Sequence, residues 1–384
     1  MRNHHQALTD PNNNIDNDSD EEEDEPVFKF SPISISTRKP DNDKTFVQAE
    51  FSCIAVHSKF LVIGKESGDI LIMDHMGHII CQECQIKAHT YPVNAISIDD
   101  RGDFIGSCCQ EGKVKISGLF TKNDDQLITF NRPIKAVCLD PNFLKAKRFV
   151  TGDTKLILNE KGTFGRHKTT TLLDIDGGLI HTLRWKDGLI AFANDKGVGV
   201  YDLNARRLVG FENTELKNLG VSAISYIKLE YYTCGLTAVN NDLVVLGVEE
   251  FTINDVCSEP SLTVLEPRKQ TCEDKTHDYF EIYRYEQTTP FQYHLGGQKD
   301  IVFLLFIKLS YFLFAEYLPN EKCFFILNPY DLVKAEYRDY DDHIDYLIKK
   351  NLFDEAVDAF ERPPNNQRPK RHTRQVKESY YDRI

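Results

Sequence analysis

Short apolar runs separated by polar turns dominate the chain between about residue 46 and residue 295. The runs are rich in β-branched and aromatic residues, and Gly, Asp, Asn or Pro interrupts them every few residues. Apolar positions at helical spacing do not continue there for more than about ten residues, which is the shortest length typical of a globular helix. This pattern predicts β-strands.

The apolar runs recur as a unit of strand, polar turn, strand, tight turn and strand. If Phe60, Phe104, Phe149 and Leu189 are equivalent positions, the unit repeats after 44, 45 and 40 residues. A fifth unit follows around Leu243. This spacing is typical of the four-stranded blades of a β-propeller, where neighbouring blades cover the apolar faces of each sheet.

The sequence therefore predicts a mainly β fold, a divergent WD-repeat-like β-propeller over residues 46–336. The Trp-Asp and Gly-His signatures of standard WD repeats are absent. A β-sandwich is the structural alternative, but a sandwich gives no reason for a constant spacing of the repeated unit. The segment between Asp202 and Thr233 is shorter than one blade needs, so the number of blades stays open.

Charge is concentrated at the N-terminus. The whole chain of 384 residues carries a net charge of −13, and residues 1–25 alone carry −8. Such a segment cannot bury enough apolar surface to order itself, so residues 1–45 are predicted to be a disordered acidic tail. The negative charge also argues against binding to a nucleic-acid backbone, and no nucleic-acid partner is expected.

The C-terminal part has a different period. Residues 341–360 place apolar side chains at helical spacing, and Asn351 interrupts the pattern. We expect a pair of short helices over residues 337–361, at the start of an α-solenoid of the clathrin-repeat type. Residues 362–384 are rich in Arg, Lys and Pro and are predicted to be a basic irregular tail.

One apolar run stands out within the predicted propeller. Residues 301–314 form 14 nearly all-apolar positions, fewer than the about 20 that a membrane-spanning helix needs. A soluble chain is expected, and the polar N-terminus predicts no secretory signal. Because soluble proteins avoid exposed apolar patches of this size, residues 299–314 are an anomalous insert in the propeller.

One cluster has the spacing of metal ligands. His78, Cys81, Cys84 and His89 follow a His-x2-Cys-x2-Cys-x4-His pattern, which could close a tetrahedral zinc site. The alternative is a hairpin edge between the first two blades, with the cysteines packed as small apolar residues. The repeat already explains this segment, so neither a metal nor another cofactor is predicted. No catalytic motif is present either, and a non-enzymatic protein is expected.

Several segments resemble the vacuolar protein sorting-associated protein 41 family, in the same order along the chain. They are residues 110–120, 132–143, 148–158, 184–202 and 341–357. The resemblance implies a subunit of the homotypic fusion and vacuole protein sorting (HOPS) tether, cytoplasmic and peripheral on late endosome and lysosome or vacuole membranes. The implied partners are other HOPS subunits and Rab- or Arf-like small GTPases, with an adaptor complex and an anionic membrane surface as further candidates.

Members of that family are longer. They continue into an extended helical solenoid and a RING-type zinc domain, so a chain of this length is expected to be a form truncated after the propeller. The alternative function is that of a generic β-propeller scaffold in a coat or ubiquitin-ligase complex.

Overall fold

The computed structural model describes residues 25–35, 51–80, 86–120, 125–161, 167–174, 178–194, 197–213, 232–239, 242–248, 261–271, 278–290, 314–327 and 332–363. Within these ranges the chain forms 24 β-strands and three helices. The strands are grouped into six antiparallel sheets of four strands each, which we number as blades 1 to 6 along the chain.

Blades 1 to 3 each consist of four consecutive strands. Blade 1 contains β2 (Phe51–His57), β3 (Phe60–Lys65), β4 (Asp69–Met73) and β5 (Ile86–Lys87). Blade 2 contains β6 (Val93–Ile98), β7 (Phe104–Cys109), β8 (Lys113–Gly118) and β9 (Gln126–Thr129). Blade 3 contains β10 (Ala136–Leu139), β11 (Arg148–Gly152), β12 (Lys155–Lys161) and β13 (His167–Asp174).

Blades 4 and 5 follow the same order, whereas blade 6 takes one strand from the other end of the chain. Blade 4 contains β14 (Ile180–Lys186), β15 (Leu189–Asn194), β16 (Gly197–Asp202) and β17 (Arg207–Asn213). Blade 5 contains β18 (Tyr232–Val239), β19 (Asp242–Val248), β20 (Ser261–Thr271) and β21 (Asp278–Pro290). Blade 6 contains β22 (Phe314–Leu318), β23 (Cys323–Leu327), β24 (Leu332–Tyr337) and β1 (Phe28–Ile33).

The hydrophobic core lies between the blades. Separate clusters of buried side chains join blade 6 to blade 1, blade 1 to blade 2, blade 2 to blade 3, blade 3 to blade 4, and blade 5 to blade 6. The second strands β7 and β23 are buried along their whole length because neighbouring blades cover both of their faces. This arrangement explains why these strands are continuous apolar runs in the sequence.

The first strands of the blades line the centre of the fold. Strand β2 lies beside β6, β6 beside β10, and β10 beside β14, while β22 lies beside both β18 and β2. Sheets packed face to face around their first strands make up a β-propeller. The fold class predicted from the 40- to 45-residue repeat is confirmed.

Strand β1 closes the ring. It pairs antiparallel with β24 as the outermost strand of blade 6, with Phe28 opposite Tyr337 and Ile33 opposite Leu332. Phe28 is buried and packs edge-on against Phe324, with the ring centroids 5.8 Å apart. The disordered tail predicted for residues 1–45 therefore does not include this strand. The strand was missed because its few apolar positions directly follow the acidic block. Residues 1–24 and 36–50 lie outside the described part of the chain.

Two helices follow the last strand. They are α2 (Tyr340–Lys349) and α3 (Phe353–Glu361), as the helical spacing predicts, and Asn351 between them has a left-handed φ of 61°. A third helix, α1 (Phe143–Ala146), is a single turn in blade 3. None of the helices in the described ranges is both long and apolar enough to cross a bilayer. The solenoid itself stays a prediction, and the insert at 299–314 lies outside the described residues except for Phe314 in β22.

Candidate interaction surface

The propeller has two faces, which carry different connections. With the four strands of a blade lettered a to d from the centre outwards, the ab face carries the connections from strand a to strand b and from strand c to strand d. Its described residues are 58–59, 74–80, 99–103, 119–120, 125, 140–147, 187–188, 203–206 and 319–322. The da face carries the turns from second to third strand and the connections between blades, and its described residues are 34–35, 66–68, 88–92, 110–112, 130–135, 153–154 and 178–179.

On the da face, each connection between blades lies over the tight turn of the blade before it. The His89 N–H donates to the Gly68 carbonyl at 3.0 Å, and the Phe130 N–H donates to the Gly112 carbonyl at 2.7 Å. Both glycines have a left-handed φ, of 85° and 81°. A Cβ atom at either position would overlap backbone oxygens of the connection above it. Glycine is therefore required at both turns.

His89 links blade 1 to blade 2 from within the protein. Its ring is buried, and Nε2 lies 2.9 Å from the hydroxyl of Ser107 on β7. Burial, together with the positive charges of Lys115 and Lys113, lowers the pKa of His89 to about 4. The imidazole is neutral at neutral pH, and this bond therefore joins two uncharged groups.

The next connection on the da face uses an ion pair. The Arg132 guanidinium pairs with the Asp153 carboxylate, whose side chain is only 7% exposed. The Asn94 amide on β6 adds a hydrogen bond to the Ile134 carbonyl at 2.8 Å. The buried Asp153 carboxylate and the partly buried Asn94 amide therefore hold blades 2 and 3 together on this face.

On the ab face, exposed groups link the connections of neighbouring blades. His57 Nε2 lies 3.2 Å from the Asp100 carbonyl, and Lys59 Nζ donates to the Arg101 carbonyl at 2.8 Å. The Asp100 N–H donates to the Pro141 carbonyl at 3.0 Å, which connects blade 2 to blade 3.

His75 extends this series across the closure of the ring. Its Nδ1 lies 2.9 Å from Glu321 Oε1 in blade 6, and its Nε2 lies 2.9 Å from the His57 carbonyl in blade 1. Its ring also packs against Phe325, with the centroids 5.6 Å apart. The connections of blades 6, 1, 2 and 3 are thus linked in series and form a fixed surface.

The ab face also exposes large apolar side chains. Phe120 is 77% exposed and Met76 is 67% exposed, each in a connection from third to fourth strand. Among the described residues, Ile80 and Leu144 are also exposed on this face, whereas Tyr91 is exposed on the da face. Apolar side chains displayed on a fixed surface are typical of protein-binding sites. The sequence signal that could have found them is an apolar residue inside a polar connection.

The predicted metal ligands have separate partners where they are described. His78 is exposed and its Nδ1 lies 3.0 Å from Asp74 Oδ2, whereas His89 is buried against Ser107. Cys81 and Cys84 lie outside the described residues. Over the part of the chain that the structure describes, no group of three or more His, Cys, Asp or Glu is arranged to hold a metal. The zinc site therefore stays the untested alternative to the hairpin edge.

The cysteines whose side chains the structure describes are buried, and they are Cys53, Cys108, Cys109, Cys138 and Cys323. Burial raises the pKa of Cys53 to about 12 and that of Cys323 to about 11. Cys108 and Cys109 on β7 are both fully buried. The thiolate is the reactive form of cysteine, and the raised pKa values of Cys53 and Cys323 keep both thiols protonated at neutral pH, so they act as packing residues.

Comparisons with known proteins agree with the resemblance identified in the sequence. Residues 38–217 match the family model Beta-prop_Vps41, described as "Vps42 beta-propeller". The chain is 29% identical over 365 residues to the vacuolar protein sorting-associated protein 41 homolog of Mus musculus, covering 82% of this chain and 40% of the relative. It is 28% identical over 397 residues to the Danio rerio homolog, covering 90% and 43%.

A more distant relative extends the same likeness. The vacuolar protein sorting-associated protein 41 of Schizosaccharomyces pombe is 22% identical over 403 residues, covering 90% of this chain and 42% of the relative. The chain thus spans about two fifths of the length of these relatives. Among solved structures, the Cps50 (Swd1) β-propeller domain of Myceliophteria thermophila covers 78% of this chain and 100% of its own, with 14% identity and a TM-score of 0.49.

Proposed function

Because the chain is similar to members of the vacuolar protein sorting-associated protein 41 family, we propose that its propeller is the protein-recognition module of a HOPS tethering subunit. The module is non-enzymatic and serves vesicle-mediated transport and fusion at late endosomes, lysosomes or vacuoles. It acts as a peripheral protein on those membranes, through Rab- or Arf-like small GTPases and other HOPS subunits.

The ab face supports this proposal most directly. Phe120 and Met76 are exposed on connections of adjacent blades whose first-to-second strand connections are hydrogen-bonded to each other. A fixed surface loses little conformational entropy when a partner binds, and an exposed aromatic side chain is a typical anchor. Switch segments of small GTPases are ordered only with bound GTP. A rigid apolar face therefore suits the GTP-bound form of such a partner.

Binding to purified GTPases tests the proposal. Immobilised Rab-like and Arf-like proteins, loaded with GTPγS or GDP, are incubated with the whole chain and the bound fraction is measured. We expect binding to one GTPγS-loaded protein, and we expect Phe120→Ala to weaken it about tenfold, as for an interface anchor. Met76→Ala should weaken the same complex.

Leu127→Ala is the matched control. Leu127 is 59% exposed but lies within the outermost strand β9, two residues beyond the ab face connection that carries Phe120. Equal losses for Phe120→Ala and Leu127→Ala would reject the ab face as the binding surface. Pull-down from lysate tests the alternative, because cullin or coat subunits without HOPS subunits would indicate a generic scaffold.

A further inference from the structure

The ring-closing strand β1 carries an exposed serine followed by proline. Ser31 and Pro32 are both exposed on this outermost strand of blade 6. Proline has no backbone N–H to donate and is tolerated in sheets mainly on such edge strands. A serine directly before a proline is the target motif of proline-directed protein kinases, which require an accessible serine hydroxyl.

The charges opposite Ser31 are already balanced. Lys334 lies directly across from Ser31, and Glu336 lies across from Lys29 two positions along the same face. Lys334 Nζ is 2.9 Å from Glu336 Oε1 and 3.4 Å from Glu321 Oε2. Lys29 pairs with Asp342 at 2.8 Å. Each lysine beside Ser31 therefore has a carboxylate partner.

We propose that Ser31 is a phosphorylation site for a proline-directed kinase and that its phosphate loosens the end of the ring-closing strand. The Ser31 Oγ attacks the γ-phosphorus of ATP, and a new O–P bond forms as the bond to the β,γ-bridging oxygen breaks. ADP leaves, and the hydroxyl proton passes to the catalytic carboxylate of the kinase. Phosphoserine then adds a charge of about −1.5 to −2 at neutral pH.

The added charge acts on β1 through its neighbours. A phosphate on Ser31 competes with Glu336 and Glu321 for Lys334, and like charges placed together are destabilising. Phe28 anchors the first end of β1 in the core between blades 5 and 6. We therefore expect the segment from Ser31 to Ile33 to separate from β24 while Phe28 stays packed.

The loosened end touches a second element. Gly77, in the ab face turn that follows β4, lies so close to Ile33 and Ser34 that a Cβ atom at Gly77 would overlap them. Fraying of β1 would release this contact as well. The modification acts on ring closure whichever partner the ab face binds.

Phosphorylation of the purified whole chain tests the proposal in two steps. In the first step, the chain and a synthetic peptide of residues 26–37 are incubated with a cyclin-dependent kinase and ATP, and the sites are mapped by mass spectrometry. We expect phosphate on Ser31 in both, with none at this position in Ser31→Ala and a reduction of about tenfold in Pro32→Ala. Ser34→Ala is the control, since Ser34 is exposed but is not followed by proline.

In the second step, amide hydrogen exchange is compared before and after modification. We expect the amides of Ser31 and Ile33 to exchange about threefold to tenfold faster in the phosphorylated chain, because local opening is favoured. Glu336→Gln should reduce this increase by removing one repelling charge. Absence of phosphate on Ser31 in the whole chain, or phosphate there without faster exchange, would overturn the proposal.

Discussion

The two faces of the propeller join the same blades by different means. On the da face, the links are buried: the neutral ring of His89 bonds to Ser107, and Gly112 lies directly beneath the backbone of the next connection. On the ab face, the links use exposed groups, such as Lys59 Nζ on the Arg101 carbonyl. The His89 link on the da face thus lies in the core, whereas the Lys59 link on the ab face lies at the surface.

The difference between the two kinds of link assigns stability to the da face and partner recognition to the ab face. A buried link leaves an unpaired group or a steric overlap when one partner changes, which costs far more than loss of an exposed hydrogen bond. The exposed side chains of the ab face, which include Phe120 and Met76, can therefore change at little cost. We expect substitutions of the buried links on the da face to lower stability and substitutions of the exposed side chains on the ab face to leave it nearly unchanged.

The largest effect is expected at a da face glycine. Gly112→Ala places a methyl group against the Phe130 and Arg132 carbonyls in a left-handed conformation. The free energy of unfolding, measured by urea denaturation, should fall by about 3 kcal/mol or more. Gln110→Ala, an exposed position in the same turn, should change it by less than about 0.5 kcal/mol. A loss below about 1 kcal/mol for Gly112→Ala would contradict the buried character of this face.

A smaller effect is expected from pH at His89. Its pKa is about 4 in the folded chain, below the 6.5 of an unfolded histidine. Between these values only the unfolded chain binds the proton, so this contribution to stability is lost as pH falls from about 6.5 towards 4. Lowering the pH from 7 to 5 should cost about 2 kcal/mol through this residue.

The variant His89→Gln isolates the contribution of His89. It keeps a side chain that can hydrogen-bond with Ser107 but does not titrate, so its unfolding free energy should depend less on pH than that of the unchanged chain. The free energy of unfolding of both proteins is measured by denaturation at several pH values. If it depends on pH in the same way in both, the titration of His89 does not contribute to the stability of the da face.

The smallest effect is expected on the ab face. Lys59→Met removes the exposed bond to the Arg101 carbonyl but keeps the aliphatic part of the side chain. The free energy of unfolding should change by less than about 0.5 kcal/mol, because exposed polar contacts contribute little. Thermal denaturation of this variant beside Gly112→Ala compares the two faces directly. A loss for Lys59→Met as large as that for Gly112→Ala would remove the distinction between them.

The sequence predicted the propeller because burial dictates its pattern. Strands such as β3 and β7 are covered on both faces, so they must be continuous apolar runs, and these runs set the repeat. The outer strands were harder to predict. Strand β5 has only two residues, and β1 lies more than 290 positions from its partner β24. Neither local period nor composition indicates that such distant segments pair.

The candidate surface was less predictable than the fold. Phe120 lies two residues beyond the end of β8, after Leu119, and the sequence pattern is the same whether apolar residues just past a strand face the core or the solvent. His89 was noted for its spacing to His78 as a metal ligand. Its contact with Ser107 depends on how the connection crosses to the next blade, which only the folded chain defines.

The pairing of β1 with β24 has a consequence for synthesis on the ribosome. Phe28 leaves the ribosome about 300 residues before Tyr337, its cross-strand partner, and at about 5 to 20 residues per second this interval lasts on the order of 15 to 60 seconds. During that time the edge of β1 is available to other strands in the cell. Completion of blade 6 is therefore a late step, and the nascent chain is a natural client for chaperones that shield unpaired strands.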